Sequence, residues 1–376
     1  VSDCEDRYDL IERQIAGLCD EKLLKEKLSR DFLDRMEGYL VELEDSLMNF
    51  RDVEHRGVVK KEQEIIELFY FKFMDIPLLS RMDAVAEYFI DEVETLKGFD
   101  LPDEEGEAVK NRFYRMYETR DLYVLYNRFL RQEGFPSLPQ VQYEKRKLRY
   151  EDVYPVLYLK YRLSRQAERS NIKHLVIDEM QDYSRLQYLI IRRMFSCKMT
   201  ILGDRAQTMA DQQQDVLQFL PGIFGKDLRR IEMRKSYRNT VEIASYAANL
   251  IGVTDLELFE RHGMPVLEWD VTDLEAALRE AVDTLFPDEK TYETAAVIVP
   301  DEKTAERAYL ILREILAEKD FDCGKRLSWL NRDSSSFKKG LTVTTFYLAK
   351  GLEFDQVVSI FPKDEKREMM MQAQYI

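Results

Sequence analysis

From about residue 175 onward, short apolar runs typical of β-strands alternate with stretches of helical periodicity. The β-rich runs are 175–177, 200–202, 231–233, 266–269, 295–299, 341–346 and 357–361. The helical stretches between them are 185–195, 241–251, 272–285 and 302–317. Because strands that alternate with helices of this length build parallel sheets flanked by helices, the pattern predicts an α/β fold here.

The first 165 residues have a different texture, with apolar residues at helical spacing and few β-rich runs. Residues 8–50 lack proline and predict one long helix, or a helical hairpin broken near Gly17 or Gly38. The acidic stretch 102–107 is read as a linker or a helix start. Further helical blocks are expected at 58–74, from Pro77 to near Gly98, at 108–132 and at 151–164.

Composition excludes several classes of protein. Hydrophobic residues make up 45% and charged residues 34% of the 376 residues, as in a folded protein. No apolar run approaches the roughly 20 residues that span a bilayer, so we expect no membrane contact and a cytoplasmic location. The net charge of −15 argues against a surface that coats nucleic acid, although short basic clusters occur. The four cysteines and three histidines are scattered, which disfavours a zinc site.

The run Leu175 to Ile177 leads straight into Asp178 and Glu179. Ligands of an open parallel sheet bind beyond the carboxyl ends of its strands, where these two acids are predicted to lie. We expect Asp178 to hold Mg²⁺, largely through water, and Glu179 to act as the base that deprotonates a water attacking a γ-phosphate. A helix N-cap followed by a first-turn acid is the plainer alternative.

Three further segments follow strands or precede helices in the same half of the chain. Gly203 and Asp204 end the next strand, and the Gln207 amide could bridge a phosphate oxygen or the attacking water. An ordinary turn is the alternative there. In the segment 234–240 an Arg can stabilise a transferred phosphoryl group and Tyr237 can stack on a base, or the segment is simply a helix cap. In the segment 344–355 a strand ends in hydroxyls, and a Lys-Gly turn leads to a carboxylate that could receive a ribose hydroxyl. A plain strand, turn, strand connection is the alternative.

Taken in order, these segments resemble the motifs of superfamily 1 helicases of the UvrD/Rep type. The sequence "DEMQD" is similar to their second motif, "ILGDRAQTM" to the third, "KSYRN" to the fourth and "TTFYLAKGLEFD" to the fifth. The approach "YEDVYPVLYLKYRL" and the preceding helical region most resemble the HelD-type motors that remodel stalled RNA polymerase. The resemblance implies RecA-like P-loop NTPase lobes, ATP and Mg²⁺ as cofactors, and movement along a single strand of DNA or on nucleic acid in a transcription complex.

The resemblance also implies a role for each matching residue. Asp178 would bind Mg²⁺, Glu179 would be the catalytic base, and Gln207 would sense the γ-phosphate. Arg238 would contact phosphate, Tyr237 the base and Glu353 the ribose. Lys350, Gly203 and Asp204 are expected near the nucleotide, and Thr345 and Tyr347 near nucleic acid.

Two family features are absent from these residues. No G-x-x-x-x-G-K-[ST] loop occurs, and the sixth motif is missing, because "QAQYI" resembles only its beginning. We therefore expect a fragment of a longer protein that does not hydrolyse ATP alone. Three parts are predicted: a helical insertion (1–104), the rest of the first RecA-like lobe (105–225) and a truncated second lobe (226–376).

Three functions remain open from the sequence. The favoured one is an ATP-dependent helicase or translocase with HelD-like action, with RNA polymerase as a possible partner. A DNA repair helicase is the alternative within the class. It is disfavoured because Thr208 and Tyr347 stand where the family carries an aromatic and a His, and weaker base stacking would loosen the grip on a single strand. The alternative from another class is a non-enzymatic protein-binding module with degenerate lobes.

Overall fold

The structure, a computed structural model, forms two compact units. It describes residues 3–165, 171–204, 216–233, 235–251, 257–285, 293–318, 326–334 and 339–361. The first unit comprises Val1–Leu10, Asp20–Gly203 and Gln213–Leu228. The second unit comprises Ile11–Cys19, Asp204–Gln212 and Arg229–Ile376.

The first unit is mainly helical. After α1 (Arg7–Ile15), its helices are α2 (Glu21–Lys27), α3 (Arg30–Ser46), α4 (Glu62–Glu67), α5 (Arg81–Lys97), α6 (Asp103–Tyr114), α7 (Leu122–Gln132), α8 (Tyr150–Leu163), α9 (Arg185–Met194) and α10 (Val216–Phe224). Their ends follow local signals: the Ser29 hydroxyl accepts the Phe32 N–H at the start of α3, and Gly98, with φ +76°, ends α5. The predicted break near Gly17 is confirmed, whereas Gly38 lies inside α3.

One predicted helical block is wrong at its start. Instead of a helix from residue 58, the chain forms an antiparallel hairpin of β2 (Val53–His55) and β3 (Val58–Lys60). Arg56 and Gly57 have positive φ, as two-residue hairpin turns require. Helix α4 follows and continues as a π-helical turn, Leu68–Lys72. The acidic stretch 102–107 proves to be the start of α6, and the block 108–132 is divided between α6 and α7.

The core of the first unit runs without a break from Phe32 on α3 to Ile190 on α9. It therefore joins the helical region to the helix that follows the "DEMQD" segment. In the same unit the Lys27 ammonium pairs with the Asp152 carboxylate, and each side chain is only 3% exposed. The Tyr126 hydroxyl donates to the same carboxylate at 2.7 Å. The predicted boundary near residue 104 falls within this core, and the three-part division remains a prediction.

The first unit also carries two parallel strand pairs. One is β1 (Asp3–Cys4) with β4 (Lys147–Leu148), and the other is β5 (His174–Ile177) with β6 (Lys198–Ile201). Val176 on β5 is 60% exposed. Among the described residues, a small core that includes Ile177, Tyr188 and Phe219 covers one face of the β5–β6 pair.

The second unit contains a parallel sheet with the strand order β10-β11-β9-β12. These strands are β9 (Thr294–Val299), β10 (Leu327–Trp329), β11 (Gly340–Thr345) and β12 (Gln356–Ser359). The helices are α11 (Val241–Ile251), α12 (Leu274–Leu285), α13 (Glu302–Ala317) and the short α14 (Phe346–Ala349). A small parallel pair joins β7 (Lys235–Ser236) and β8 (Glu257–Leu258). Both α12 and α13 pack on the large sheet through its buried aliphatic residues.

Two strands predicted in the second unit are wrong. Residues 231–233 and 266–269 have no regular secondary structure. Ile231 and Met233 are 88% and 90% exposed, so their apolar character does not reflect burial in a sheet. The expected α/β class is confirmed, because parallel sheets flanked by helices follow a largely helical N-terminal region. In the described residues no helix has the length and apolar character needed to cross a membrane.

Candidate functional site

The acids of the "DEMQD" segment lie at the carboxyl edge of the β5–β6 pair. The register places Ile177 beside Ile201, so the residues that follow both strands leave the pair at the same edge. Asp178 is exposed there, and its Oδ1 accepts the Glu179 N–H at 2.8 Å.

Glu179 has an unusual backbone. Its φ is +53°, in the left-handed region that costs a non-glycine residue free energy. The Gln181 amide, on a side chain only 1% exposed, donates to the Glu179 carboxylate at 2.6 Å. The Glu179 side chain does not cap the following 3₁₀ turn, Met180–Asp182, so the helix-cap alternative for this acid is not supported. The arrangement holds one carboxylate of the pair in a fixed orientation.

Gly203 allows the two strand ends to approach each other closely. The Met180 N–H donates to the Leu202 carbonyl at 2.8 Å, just before this glycine. A Cβ on Gly203 would lie 2.6 Å from the Met180 nitrogen and 2.5 Å from Gln181 Oε1. Any side chain here would therefore displace the turn that carries Glu179.

Two further contacts hold the "DEMQD" turn from its other side. The Arg7 guanidinium donates to the Asp182 carbonyl at 3.1 Å and to its Oδ1 at 3.3 Å. The hydroxyl of the fully buried Tyr188 donates to the Met180 carbonyl at 3.1 Å, and burial raises the pKa of this tyrosine. Sequence reasoning missed Arg7 because 175 residues separate it from its partner. It also missed Gln181, although this residue stands inside the quoted motif.

The structure describes only part of the segment "ILGDRAQTM", which resembles the third motif. Asp204 is exposed and follows Gly203 directly. Gln207 lies outside the described residues, and so does Thr208. The predicted role of the Gln207 amide therefore stays a prediction.

The second unit brings two predicted site residues together. The Arg238 Nε lies 2.8 Å from the Glu353 carboxylate, and both side chains are more than 60% exposed. An exposed ion pair of this kind contributes at most about 1 kcal/mol to stability. The contact matters because it joins two residues that are predicted to contact nucleotide. Tyr237, 62% exposed, packs beside Phe259 with ring centroids 5.5 Å apart. Thr240 Oγ1 accepts a long 3.5 Å bond from Ile243 N, so the helix-cap interpretation holds for that threonine alone.

The segment after β11 forms the expected turn. The Lys350 N–H donates to the Phe346 carbonyl at 3.1 Å, and Gly351 has φ +81°. Asp355 then accepts the N–H groups of Glu293 and Thr294 at 3.0 and 2.9 Å. Hydrogen bonds from Thr294 and Glu293 hold the pKa of the Asp355 carboxyl below its ordinary value. Asp355 thereby joins the start of β12 to the start of β9.

Thr345 and Tyr347, the predicted nucleic-acid contacts, are buried. Thr345 has no exposed surface and Tyr347 is 5% exposed. The Thr345 hydroxyl finds no hydrogen-bond partner among the residues that the structure describes. Neither side chain is presented to solvent in this state, so a contact with nucleic acid would require the surrounding residues to move.

The donor set around Asp178 suits Mg²⁺ better than a transition metal. A single exposed carboxylate leaves most positions of an octahedral ion to water or phosphate oxygens, which Mg²⁺ prefers. Across the described parts of the chain, no three His, Cys, Asp or Glu residues converge on a common metal position. The Asp178 carboxylate therefore fits a Mg²⁺ that it would hold largely through water.

Parallel strands flanked by helices, with acids beyond the carboxyl ends of β5 and β6, define an α/β protein. The sequence model of the UvrD/REP helicase N-terminal domain matches residues 20–209, just over half of the 376 residues, and the chain belongs to this family of ATP-dependent helicases. The match includes the "DEMQD" and "ILGDRAQTM" segments.

Comparisons with other proteins add little. A search of curated proteins finds no match. Among solved structures, a Saccharomyces cerevisiae Dbp5 variant bound to a Gle1 variant and IP6 is similar over 68% of this chain and 78% of that chain. The identity is 12% and the TM-score 0.20, which is too low a likeness to bear on the fold.

Proposed function

We propose that this chain forms the nucleotide-hydrolysing part of an ATP-dependent superfamily 1 helicase or translocase. The observation that carries the proposal is the Glu179 carboxylate, held by buried Gln181 at the edge where β5 and β6 both end. In the proposed reaction a water oxygen attacks the γ-phosphorus of ATP, its proton passes to Glu179, and ADP leaves. Asp178 would hold Mg²⁺, which supplies charge neutralisation on the phosphates when bound.

Residues of the second unit are also proposed to contact nucleotide. Arg238 and Glu353 neutralise each other at 2.8 Å, and each offers what a nucleotide needs. A guanidinium binds phosphate oxygens, and a carboxylate accepts ribose hydroxyls. Exchange of this exposed pair for contacts to ATP would cost little, because the pair contributes little by itself. Tyr237 would pack against the base, and Lys350 and Asp204 would lie nearby.

The test is the exchange of Glu179 for its amide. Since no G-x-x-x-x-G-K-[ST] loop occurs in these residues, we propose that they do not turn over ATP alone. The assay therefore uses a protein that contains this chain together with a phosphate-binding loop. Glu179→Gln should lower kcat by about a hundredfold or more while ATP still binds, as loss of a general base predicts. Unchanged turnover would remove Glu179 from the reaction.

Within the class, we favour a HelD-like motor on transcription complexes over a DNA repair helicase. Two observations support this choice. The first unit is mainly helical, as the resemblance to HelD-type motors implies. Thr345 and Tyr347 are buried, which leaves little exposed at the predicted nucleic-acid contacts. Weak stimulation of turnover by single-stranded DNA, together with co-purification with RNA polymerase, is the expected result. Strong stimulation by single-stranded DNA would favour the repair helicase.

The same burial also gives some support to the non-enzymatic binding module. That alternative predicts no ATP turnover even when a phosphate-binding loop is present. It also predicts equal behaviour of the wild type and Glu179→Gln in every assay.

A further inference from the structure

The helical part of the first unit carries an open groove far along the chain from the β5–β6 edge. Its volume is about 540 Å³, within the range of binding sites for small ligands or a few side chains. It is lined by Lys60, Glu64, Glu67, Leu68, Phe71, Lys72 and Tyr88, and we call it the acidic groove.

Aromatic side chains form its exposed apolar surface. Phe71 lies in the π-helical turn Leu68–Lys72, where the Phe73 N–H donates to the Leu68 carbonyl at 2.9 Å. The turn keeps Phe69 fully buried and leaves Phe71 73% exposed. Turns of this type are rare and often mark functional positions. Tyr88 on α5 contributes a second ring, 39% exposed.

Both lysines of the groove contact neighbouring side chains, Lys60 through an ion pair and Lys72 through an aromatic ring. The Lys60 ammonium pairs with Glu92 at 2.5 Å, and its side chain is only 7% exposed. The Lys72 ammonium lies 3.6 Å from the centroid of the Tyr88 ring. By contrast, the exposed Glu67 carboxylate has no hydrogen-bond or ion-pair partner among the described residues.

The wider surroundings strengthen the negative field. From β2 to the end of α6, residues 53–114 contain fifteen Asp and Glu against eight Lys and Arg, a net charge of −7. Such a field attracts cationic partners and repels the phosphates of nucleic acid. Exposed aromatic rings beside charged residues are the usual centre of a protein–protein interface.

We propose that the acidic groove binds a basic, amphipathic segment of a protein partner. An apolar side chain of that segment would pack on Phe71 and Tyr88, and its Lys or Arg residues would lie beside Glu64 and Glu67. The charge of the surrounding segment decides the class of occupant, because the net −7 of residues 53–114 repels a phosphate backbone and attracts a basic segment. This proposal goes beyond ATP hydrolysis and does not rest on it.

The test measures binding of a synthetic peptide to the full chain by fluorescence anisotropy, without nucleotide. The peptide contains Leu and Lys at helical spacing over about four turns, and a matched peptide carries Glu in place of Lys. We expect the Lys peptide to bind at least tenfold more tightly than the Glu peptide. Phe71→Ser should raise its Kd about tenfold, as loss of an aromatic anchor does.

The charge arm uses the double variant Glu64→Gln/Glu67→Gln. It should raise the Kd at low salt, and the difference from wild type should shrink as salt screens the interaction. The matched controls are Leu96→Ser, which removes an apolar residue 65% exposed outside the groove, and Asp103→Asn/Glu104→Gln. Both should bind the peptide within twofold of wild type.

Three results would overturn the proposal. The groove variants and the control variants could weaken binding of the peptide equally, which would indicate attraction by net charge alone. Phe71→Ser could leave the Kd of the peptide unchanged while the variant keeps the melting temperature of the wild type. A DNA duplex could displace the peptide and lose affinity on Phe71→Ser, which would assign the groove to nucleic acid. All three results are measured without nucleotide. They can therefore be interpreted whether or not Glu179→Gln lowers ATP turnover.

Discussion

At the scale of single residues, the candidate site depends on how a few side chains fix the turn after β5. Glu179 has a left-handed backbone, its carboxylate accepts from a buried amide, and a glycine lies against the turn. Strain of this kind persists only where the surroundings impose it, and it often marks a functional position. The residues that impose it here are Gln181 and Gly203.

Gln181→Leu removes the amide that holds the Glu179 carboxylate and keeps a similar side-chain volume. If Glu179 is the base, a misplaced carboxylate should lower kcat by about tenfold to a hundredfold, with a smaller change in KM for ATP. Steady-state ATPase kinetics in a protein that includes a phosphate-binding loop would measure this. Gln132→Leu, at an exposed glutamine on α7, is the control. Equal kcat in both variants would contradict the positioning role.

Gly203→Ala should destabilise the first unit. The new Cβ would lie 2.4 Å from Met180 Cγ and 2.6 Å from its nitrogen, so the turn must move. We expect a loss of about 1–3 kcal/mol in the free energy of unfolding, measured by urea denaturation. Gly222→Ala is the matched control, because that glycine lies in α10 with open space around it. A loss no larger than the control's would show that the close approach has no energetic consequence.

At the scale of elements, the agreement between sequence and structure follows the range of the interactions. Helix α13 was predicted at 302–317 and lies at those residues, because its periodicity and the Asp301 cap are local signals. Residues 231–233 and 266–269 are apolar but form no strand, since a strand also needs a neighbour that the local sequence does not specify. The β2–β3 hairpin was missed because Arg56-Gly57 is a weaker turn signal than Asn-Gly.

The same reasoning explains the candidate site. The acids after β5 were predictable, because an apolar strand followed by carboxylates is a local pattern. Their contact with Gln181 depends on the left-handed turn, and the contact of Asp182 with Arg7 bridges 175 residues. Such contacts arise from tertiary packing and leave no periodic trace in the sequence. Burial of Thr345 and Tyr347 likewise depends on what packs over the end of β11.

Asp355 should stabilise the β9–β12 pairing in a pH-dependent way. Its folded-state pKa lies below the ordinary value of 3.8, so its contribution is complete above that pH and is lost as the pH falls through the folded-state pKa. Asp355→Asn should lower the free energy of unfolding by up to about 1 kcal/mol at neutral pH, since solvent screens an exposed carboxylate, and should approach wild type in acid. Urea denaturation across pH 2 to 7 would measure the difference.

The control for Asp355 is Asp333→Asn, at an exposed acid in a turn of the same unit. It should unfold like wild type throughout this range. A loss for Asp355→Asn that does not change with pH would contradict the electrostatic explanation and indicate a change in packing alone.

At the scale of the whole molecule, one core of the first unit joins its helical region to α9, the helix that follows the candidate site. Residues from Phe32 to Ile190 belong to that core, and Leu186 and Ile190 lie on the helix that follows the "DEMQD" turn. A change at the groove or among the helices can therefore alter the stability of the site without touching it. The buried pair Lys27 and Asp152 is the sharpest place to test this, because it lies on α2 and α8, far along the chain from Glu179.

Lys27→Met removes the cation and leaves the Asp152 carboxylate buried, with Tyr126 as its described hydrogen-bond donor. Loss of one partner of a buried pair costs about 3–5 kcal/mol, whereas replacing both partners costs much less. Lys27→Met should therefore be strongly destabilised, and Lys27→Met/Asp152→Asn should recover much of the loss. Amide hydrogen exchange should show faster opening in α3 and in α9 together, because one core holds both. If α3 opens while α9 keeps wild-type protection, the helical region and α9 unfold independently, and the continuous core does not act as one cooperative body.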